Sequence, residues 1–395
     1  MAKTPTRPKA KRTTPARPRK AAAAARPRSK AAAAEVEAVE AAPPEQPAPE
    51  APASKRRKAD TLLIDLALQG GGSHGAFTWG VLDRILEEKW LHIEAISGTS
   101  AGAMNAAVLA DGHAQGGAEG ARAALENFWL SVSKAAALSP LRRGPLDVLL
   151  DRWTLDTSPA YLAMDLMTRL FSPYDMPLGG ANPLEAILAA HIDFERLAAA
   201  PIKLFITATN VRTGRGRVFQ NAEISPQVLL ASACLPQMFQ AVEIDGDGYW
   251  DGGFAGNPTI TPLIKECKSD DTILVGINPV ERPGIPRSAR DILNRLNEVS
   301  FNAVLLKELE MMALIRLGAD PKNPAARHWA EMRIHMVRSD LLTGLGASSK
   351  LNAEWPFLTM LRDEGRRAAD DFLAANAEHL GKRSTLNIDH LLTGW

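Results

Sequence analysis

The chain has 395 residues, 46% of them hydrophobic and 23% charged, with a net charge of +1. This length suits one large α/β domain or two small ones. No apolar stretch is long enough to span a bilayer, and Cys234 and Cys267 are the only cysteines; the two could pair, but nothing resembles a disulfide framework, and a reducing, cytoplasmic compartment is expected.

The near-zero net charge hides an asymmetry. Residues 1–60 carry fifteen Lys/Arg against six Asp/Glu, a net of +9, and the rest of the chain carries a net of −8. The first thirty residues hold eleven basic side chains and no acidic one, 31–54 alternate Ala, Pro and Glu, and Lys55-Arg56-Arg57-Lys58 closes the segment. Without aromatics and with almost no branched apolar residues, it cannot bury enough surface to offset its ordering entropy, so a disordered basic tail is expected. Two uses stay open: a solvated linker, or an electrostatic tether to anionic lipid, a storage granule or nucleic acid. The tail has no apolar h-region, so it does not read as a secretory signal, and its repeated prolines argue against an amphipathic transit helix.

The body begins at Thr61. The apolar run over 62–68 ends in glycines and predicts a buried strand. Phe77, Val81, Leu82, Ile85 and Leu86 recur at helical spacing, predicting a helix over 75–90. A second short strand over 93–97 runs into Gly98-Thr99-Ser100-Ala101-Gly102 and a helix over 101–110. This order implies parallel strands with helical crossovers. Residues 118–200 carry a helical pattern, with breaks expected at Pro140, Pro145, Pro159, Pro173, Pro177 and Pro183. Strands are expected again at 203–209, 217–220, 242–244, 272–277 and 333–337, and helices at 287–317 and 355–379. The expectation is a three-layer α/β/α sandwich with a mainly parallel central sheet. One domain would cover 61–395, its core motifs in 61–280 and a helical C-terminal extension in 281–395.

Three segments carry chemistry. Gly98-Thr99-Ser100-Ala101-Gly102 is a G-x-S-x-G sequence between strand and helix, the context a nucleophile elbow requires; Gly98 and Gly102 let neighbouring backbone pack against the turn. Gly70-Gly71-Gly72-Ser73-His74-Gly75 opens a helix after the first strand. Alone it matches a dinucleotide fingerprint, but the second strand ends in a serine rather than the acidic residue that reading needs. Bare glycine N–H groups beside a serine suit an oxyanion instead. The third segment is Tyr249-Trp250-Asp251-Gly252-Gly253, read as a loop after a hairpin and preceded by Ala231-Ser232-Ala233-Cys234-Leu235-Pro236.

Jointly, the glycine-rich loop, G-T-S-A-G, A-S-x-x-x-P and D-G-G resemble the patatin-like phospholipases in order and spacing over about residues 61–280. The resemblance implies a Ser100–Asp251 catalytic dyad without a catalytic histidine, an oxyanion loop of Gly70, Gly71, Gly72 and Gly75, and a dyad loop at Gly252 and Gly253. It implies a phospholipid or other lipid ester as substrate, met peripherally at a membrane or granule surface, and no cofactor or metal. One departure is His74, where the family usually has Arg or Lys; an anion contact and a hydrogen bond within the loop are the two readings.

Other readings remain beside this one. An esterase of stored polyester granules and a non-catalytic module tethered to membrane or DNA both fit the tail. A conventional Ser-His-Asp hydrolase would draw on His328 or His335. Trp153, Tyr161, Met164, Leu166, Met167, Leu170 and Phe171 read as core packing or as a lid or acyl-chain groove.

Overall fold

The computed structural model describes residues 61–175, 182–320 and 322–392. The expected basic tail over 1–60 and the expected break at Pro177 lie outside the described residues. The strands are β1 (Leu62–Leu68), β2 (Leu91–Gly98), β3 (Lys203–Asn210), β4 (Gly216–Gln220), β5 (Val242–Ile244), β6 (Asp247–Asp251), β7 (Asp271–Val275) and β8 (Arg333–Val337). Among the described residues they form one sheet in the order β5-β6-β3-β2-β1-β7-β8, with β4 also on β3. β3, β2, β1, β7 and β8 run parallel, while β4, β5 and β6 add antiparallel pairs beyond β3.

Central β1 explains its own sequence. Ile64, Leu66 and Leu68 enter one core cluster and Ala67 enters the other, so both faces of the strand are covered and its run is almost wholly apolar. Asp65 is the exception; burial raises its pKa to about 8, which keeps the carboxyl protonated at neutral pH. The helices are α1 (Gly75–Ile85), α2 (Ala101–Ala136), α3 (Pro145–Leu149), α4 (Pro159–Leu170), α5 (Pro183–His191), α6 (Phe194–Ala198), α7 (Pro226–Ser232), α8 (Thr261–Glu266), α9 (Ala289–Gly318), α10 (Pro324–Glu331) and α11 (Trp355–Asn376). α1, α2, α7 and α11 build the first cluster, α8 and α9 the second. The result is the expected α/β/α layering around a mostly parallel sheet. No helix among the described residues is long and apolar enough to cross a membrane.

Helices α1 and α11 meet backbone to backbone. A Cβ at Gly80 would strike the Arg362 carbonyl, and one at Gly365 would strike that of Phe77.

Several boundaries differ from the expectations. α1 stops at Ile85, short of residue 90, and α2 runs on to Ala136 through non-helical backbone at Gly116 and Gly117. Pro145, Pro159 and Pro183 begin helices rather than merely interrupting them. Proline's missing N–H costs nothing in a first turn, and its fixed φ already suits a helix. Asp251 is the last residue of a strand, β6, rather than part of a loop.

Candidate active site

Ser100 stands where β2 hands over to α2, at the carboxyl end of the parallel strands. Its backbone has φ 54° and ψ −122°, a conformation rare for a residue with a side chain. The turn closes because its neighbours are small: a Cβ at Gly98 would lie 2.7 Å from the Gly102 carbonyl oxygen, and one at Gly102 would strike the Leu68 carbonyl. The Ser100 N–H donates to Ser232 Oγ at 2.9 Å, and that hydroxyl donates to the Thr207 carbonyl at 2.7 Å. Thus the serine of the A-S-x-x-x-P segment, at the end of α7, pins the turn from below.

Asp251 arrives on the antiparallel side of the sheet, paired with Ala208 of β3. Its main-chain N–H donates to the Cys234 carbonyl at 2.8 Å, and its carbonyl accepts from Thr209 Oγ1 at 2.8 Å. Its Oδ1 accepts the Gly253 N–H at 2.7 Å, and the Ser100 side chain is close enough to draw the pKa of the carboxyl down. The residue is 1% exposed. Burial pushes its pKa up to about 7, against the downward pull of the Gly253 N–H, the Ser100 hydroxyl and the nearby Lys350 charge. A Cβ at Gly252 would strike the Thr207 carbonyl, so the turn after Asp251 packs directly on β3.

The glycine loop reaches the same point. A Cβ on Gly70 would lie 2.6 Å from Ser100 Cβ, so only a bare backbone can pass this close to the serine. A family model for the patatin-like phospholipases matches residues 66–264, which include this loop, Ser100 and Asp251. The chain belongs to the patatin-like phospholipase family. That is a family of lipid acyl hydrolases. The structure is also similar to the crystal structure of VipD from Legionella pneumophila, with 16% identity and a TM-score of 0.31 over 80% of this chain and 72% of that one. No curated protein matches the chain.

Within this patatin-like site the four loop glycines differ in what their N–H groups do. The Gly70 N–H donates to Asn257 Oδ1 at 2.6 Å, and that of Gly75 turns back onto the Gly72 and Ser73 carbonyls. Those of Gly71 and Gly72 donate to no acceptor among the described residues. Gly72 has φ +58°, and a Cβ there would strike the Lys350 carbonyl. His74 is buried, its Nε2 2.8 Å from Ser349 Oγ and its ring edge-on to Phe357. Burial, with Lys350 nearby, lowers its pKa to about 3, so the ring is neutral and suits a structural bond better than an anion contact.

The loop is held by residues that carried no motif. Gln69 Oε1 accepts the Ile277 and Asn278 N–H groups at 2.9 and 3.0 Å, and its Nε2 donates to Asn302 Oδ1 at 3.1 Å. Asn278 Nδ2 donates to the Gly70 carbonyl at 2.8 Å, and Lys350 Nζ donates to Asn278 Oδ1 at 2.8 Å. Gln69 and Asn278 follow the carboxyl ends of β1 and β7, where sites gather in α/β sheets; that position was the available signal. Lys350 had none.

His335 bonds Asp271 at 3.0 Å through Nε2, but Asp271 begins β7. The pair therefore lies toward the amino ends of the parallel strands, opposite the Ser100 end. His328 contacts the Ile264 carbonyl and Asp270 on that side. The insertion behaves differently from a core. Trp153 packs, stacked on Phe357 at 5.3 Å with the Arg143 guanidinium 4.1 Å from its ring. α4 has no buried residue and exposes Leu162, Leu166, Met167 and Leu170, with Phe171 at its end. Its flanks are tied to two separate segments: Thr154 Oγ1 lies 2.7 Å from Ser348 Oγ, and Tyr174 Oη accepts the Ala241 N–H at 3.0 Å.

Proposed function

We propose that residues 61–395 form a serine lipid acyl hydrolase domain, of phospholipase A, lysophospholipase or lipid esterase type. Ser100 is the nucleophile and Asp251 its base. One observation carries this reading: a buried carboxylate, Asp251, lies within electrostatic reach of the Ser100 side chain at the tight strand-to-helix turn, and burial pushes its pKa up to about 7. A carboxylate at its ordinary value is too weak a base for a hydroxyl, whereas one near the working pH takes a proton while remaining largely ionised.

Ser100 Oγ attacks the ester carbonyl carbon as Asp251 takes the hydroxyl proton, and the carbonyl π electrons move onto oxygen. The free N–H groups of Gly71 and Gly72 and the amino end of α2 are the donors for that oxyanion. Collapse breaks the bond to the alcohol oxygen, which leaves with the proton from Asp251. Water then attacks the acyl-enzyme, giving a proton to Asp251 that returns to Ser100, and the acid departs. Exposed apolar side chains on α4 support a lipid as the acyl donor. A fluorophosphonate probe is expected to label the wild-type chain and not Ser100→Ala; equal labelling of both would defeat the assignment.

A further inference from the structure

The acyl-transfer reading leaves unexplained a lysine driven under the glycine loop. Lys350 is the last of Ser348-Ser349-Lys350, and its carbonyl forms the floor on which Gly72 rests. Its ammonium makes no ion pair among the described residues. Nearby Glu298 is engaged by Arg282 at 2.6 Å and by Arg295 at 3.3 Å. Nζ instead donates to Asn278 Oδ1 at 2.8 Å, and the other end of that amide, Nδ2, donates to the Gly70 carbonyl at 2.8 Å. The Gly70 carbonyl and the Gly71 N–H belong to one peptide unit. A donor on that oxygen withdraws electrons from the unit and makes its N–H a stronger donor, as hydrogen bonds in a chain polarise one another. The Gly71 N–H has no acceptor among the described residues.

We propose that Lys350 is a positioning residue for the acyl transfer, its ammonium acting through Asn278 to polarise the Gly70–Gly71 peptide and strengthen the Gly71 N–H toward an oxyanion. This rests on the hydrolase reading above. The charge is available at neutral pH. Burial draws the lysine down to about 8; Glu298 and Asp251 hold it up, Arg282 pushes the other way, and His74 faces it as a neutral ring. A lysine acting only as a spacer would be replaceable by an uncharged side chain of its length, which separates the two roles.

The test uses the full chain as wild type, Lys350→Met and Lys350→Arg, with kcat and KM for a soluble ester measured from about pH 5 to about pH 10. For the wild type, kcat/KM is expected to rise through about 7 as Asp251 ionises and fall through about 8 as Lys350 loses its proton. Lys350→Met is expected to lower kcat by about tenfold to a hundredfold with KM little changed, and to abolish the alkaline fall. Lys350→Arg keeps most of kcat and moves the fall above the range. An alkaline fall that survives in Lys350→Met, whatever its rate, overturns the relay; if that variant does not fold, an unmoved fall in Lys350→Arg does so. A wild type that neither takes the fluorophosphonate nor cleaves ester sinks the hydrolase reading and the relay with it, whereas a labelled wild type with unaltered variants sinks the relay alone.

Discussion

Replacing Asp251 with Asn keeps the shape of the side chain and an oxygen for the Gly253 N–H, while removing the capacity to ionise and turning the second oxygen into an N–H donor. Two effects of opposite sign follow. Turnover is expected to fall by at least about a thousandfold, the upper part of what a general base supplies. Stability is expected to rise, by an amount that depends on pH. The carboxyl has its ordinary pKa of 3.8 in the unfolded chain and about 7 in the fold, so the native state binds the proton more tightly. Its contribution to stability is therefore present at low pH and is lost as pH climbs from about 4 to about 7. Three pKa units amount to about 4 kcal/mol, the cost of holding an ionised Asp251 in the fold above neutrality. Asn escapes that cost. Urea unfolding followed by tryptophan fluorescence, near pH 4 and near pH 8, is expected to show the variant's advantage widening by up to about 4 kcal/mol between the two. An equal gap at both pH values, or an active variant, would refute the reasoning.

Two other outcomes follow from the geometry. Gly72→Ala forces a Cβ into the Lys350 carbonyl at a positive φ, so kcat on a soluble ester is expected to drop about a hundredfold to a thousandfold; an unchanged kcat would remove Gly72 from the oxyanion loop. Leu166→Glu combined with Leu170→Glu alters side chains that are 56% and 64% exposed. The pair is expected to leave Tm and soluble-ester turnover unchanged while lowering cleavage of phospholipid in vesicles by about tenfold or more. Equal losses on both substrates would mean that α4 serves the fold rather than the lipid surface.

The strands that build the sheet were legible because their burial leaves a mark: β1 is covered on both faces and reads as an apolar run. Ser100 was legible because a strand, a small-residue turn and a helix occur in immediate succession, and the positive φ there is what those glycines accommodate. Asp251 was legible as a residue but not as the end of a strand, since β6 is short and its last residues, past the hairpin with β5, pair with β3, far away in the chain. Composition could not divide the four loop glycines. Whether an N–H is free depends on Asn257, which meets the loop only in three dimensions. Lys350 was invisible for the same reason. Helical periodicity along α4 gave an apolar stripe without saying whether anything covers it, and none of the described residues buries it.

The seam between α1 and α11 gives the site an unexpected reach. α1 starts at the glycine loop, and α11 begins just after the segment that carries Lys350, so the proposed oxyanion donors and the lysine beside them hang from two rods welded at Gly80 and Gly365. Adding a single methyl at either joint would pry the rods apart and misalign groups at their ends. A variant there would keep every reactive side chain and still behave like an injured active site.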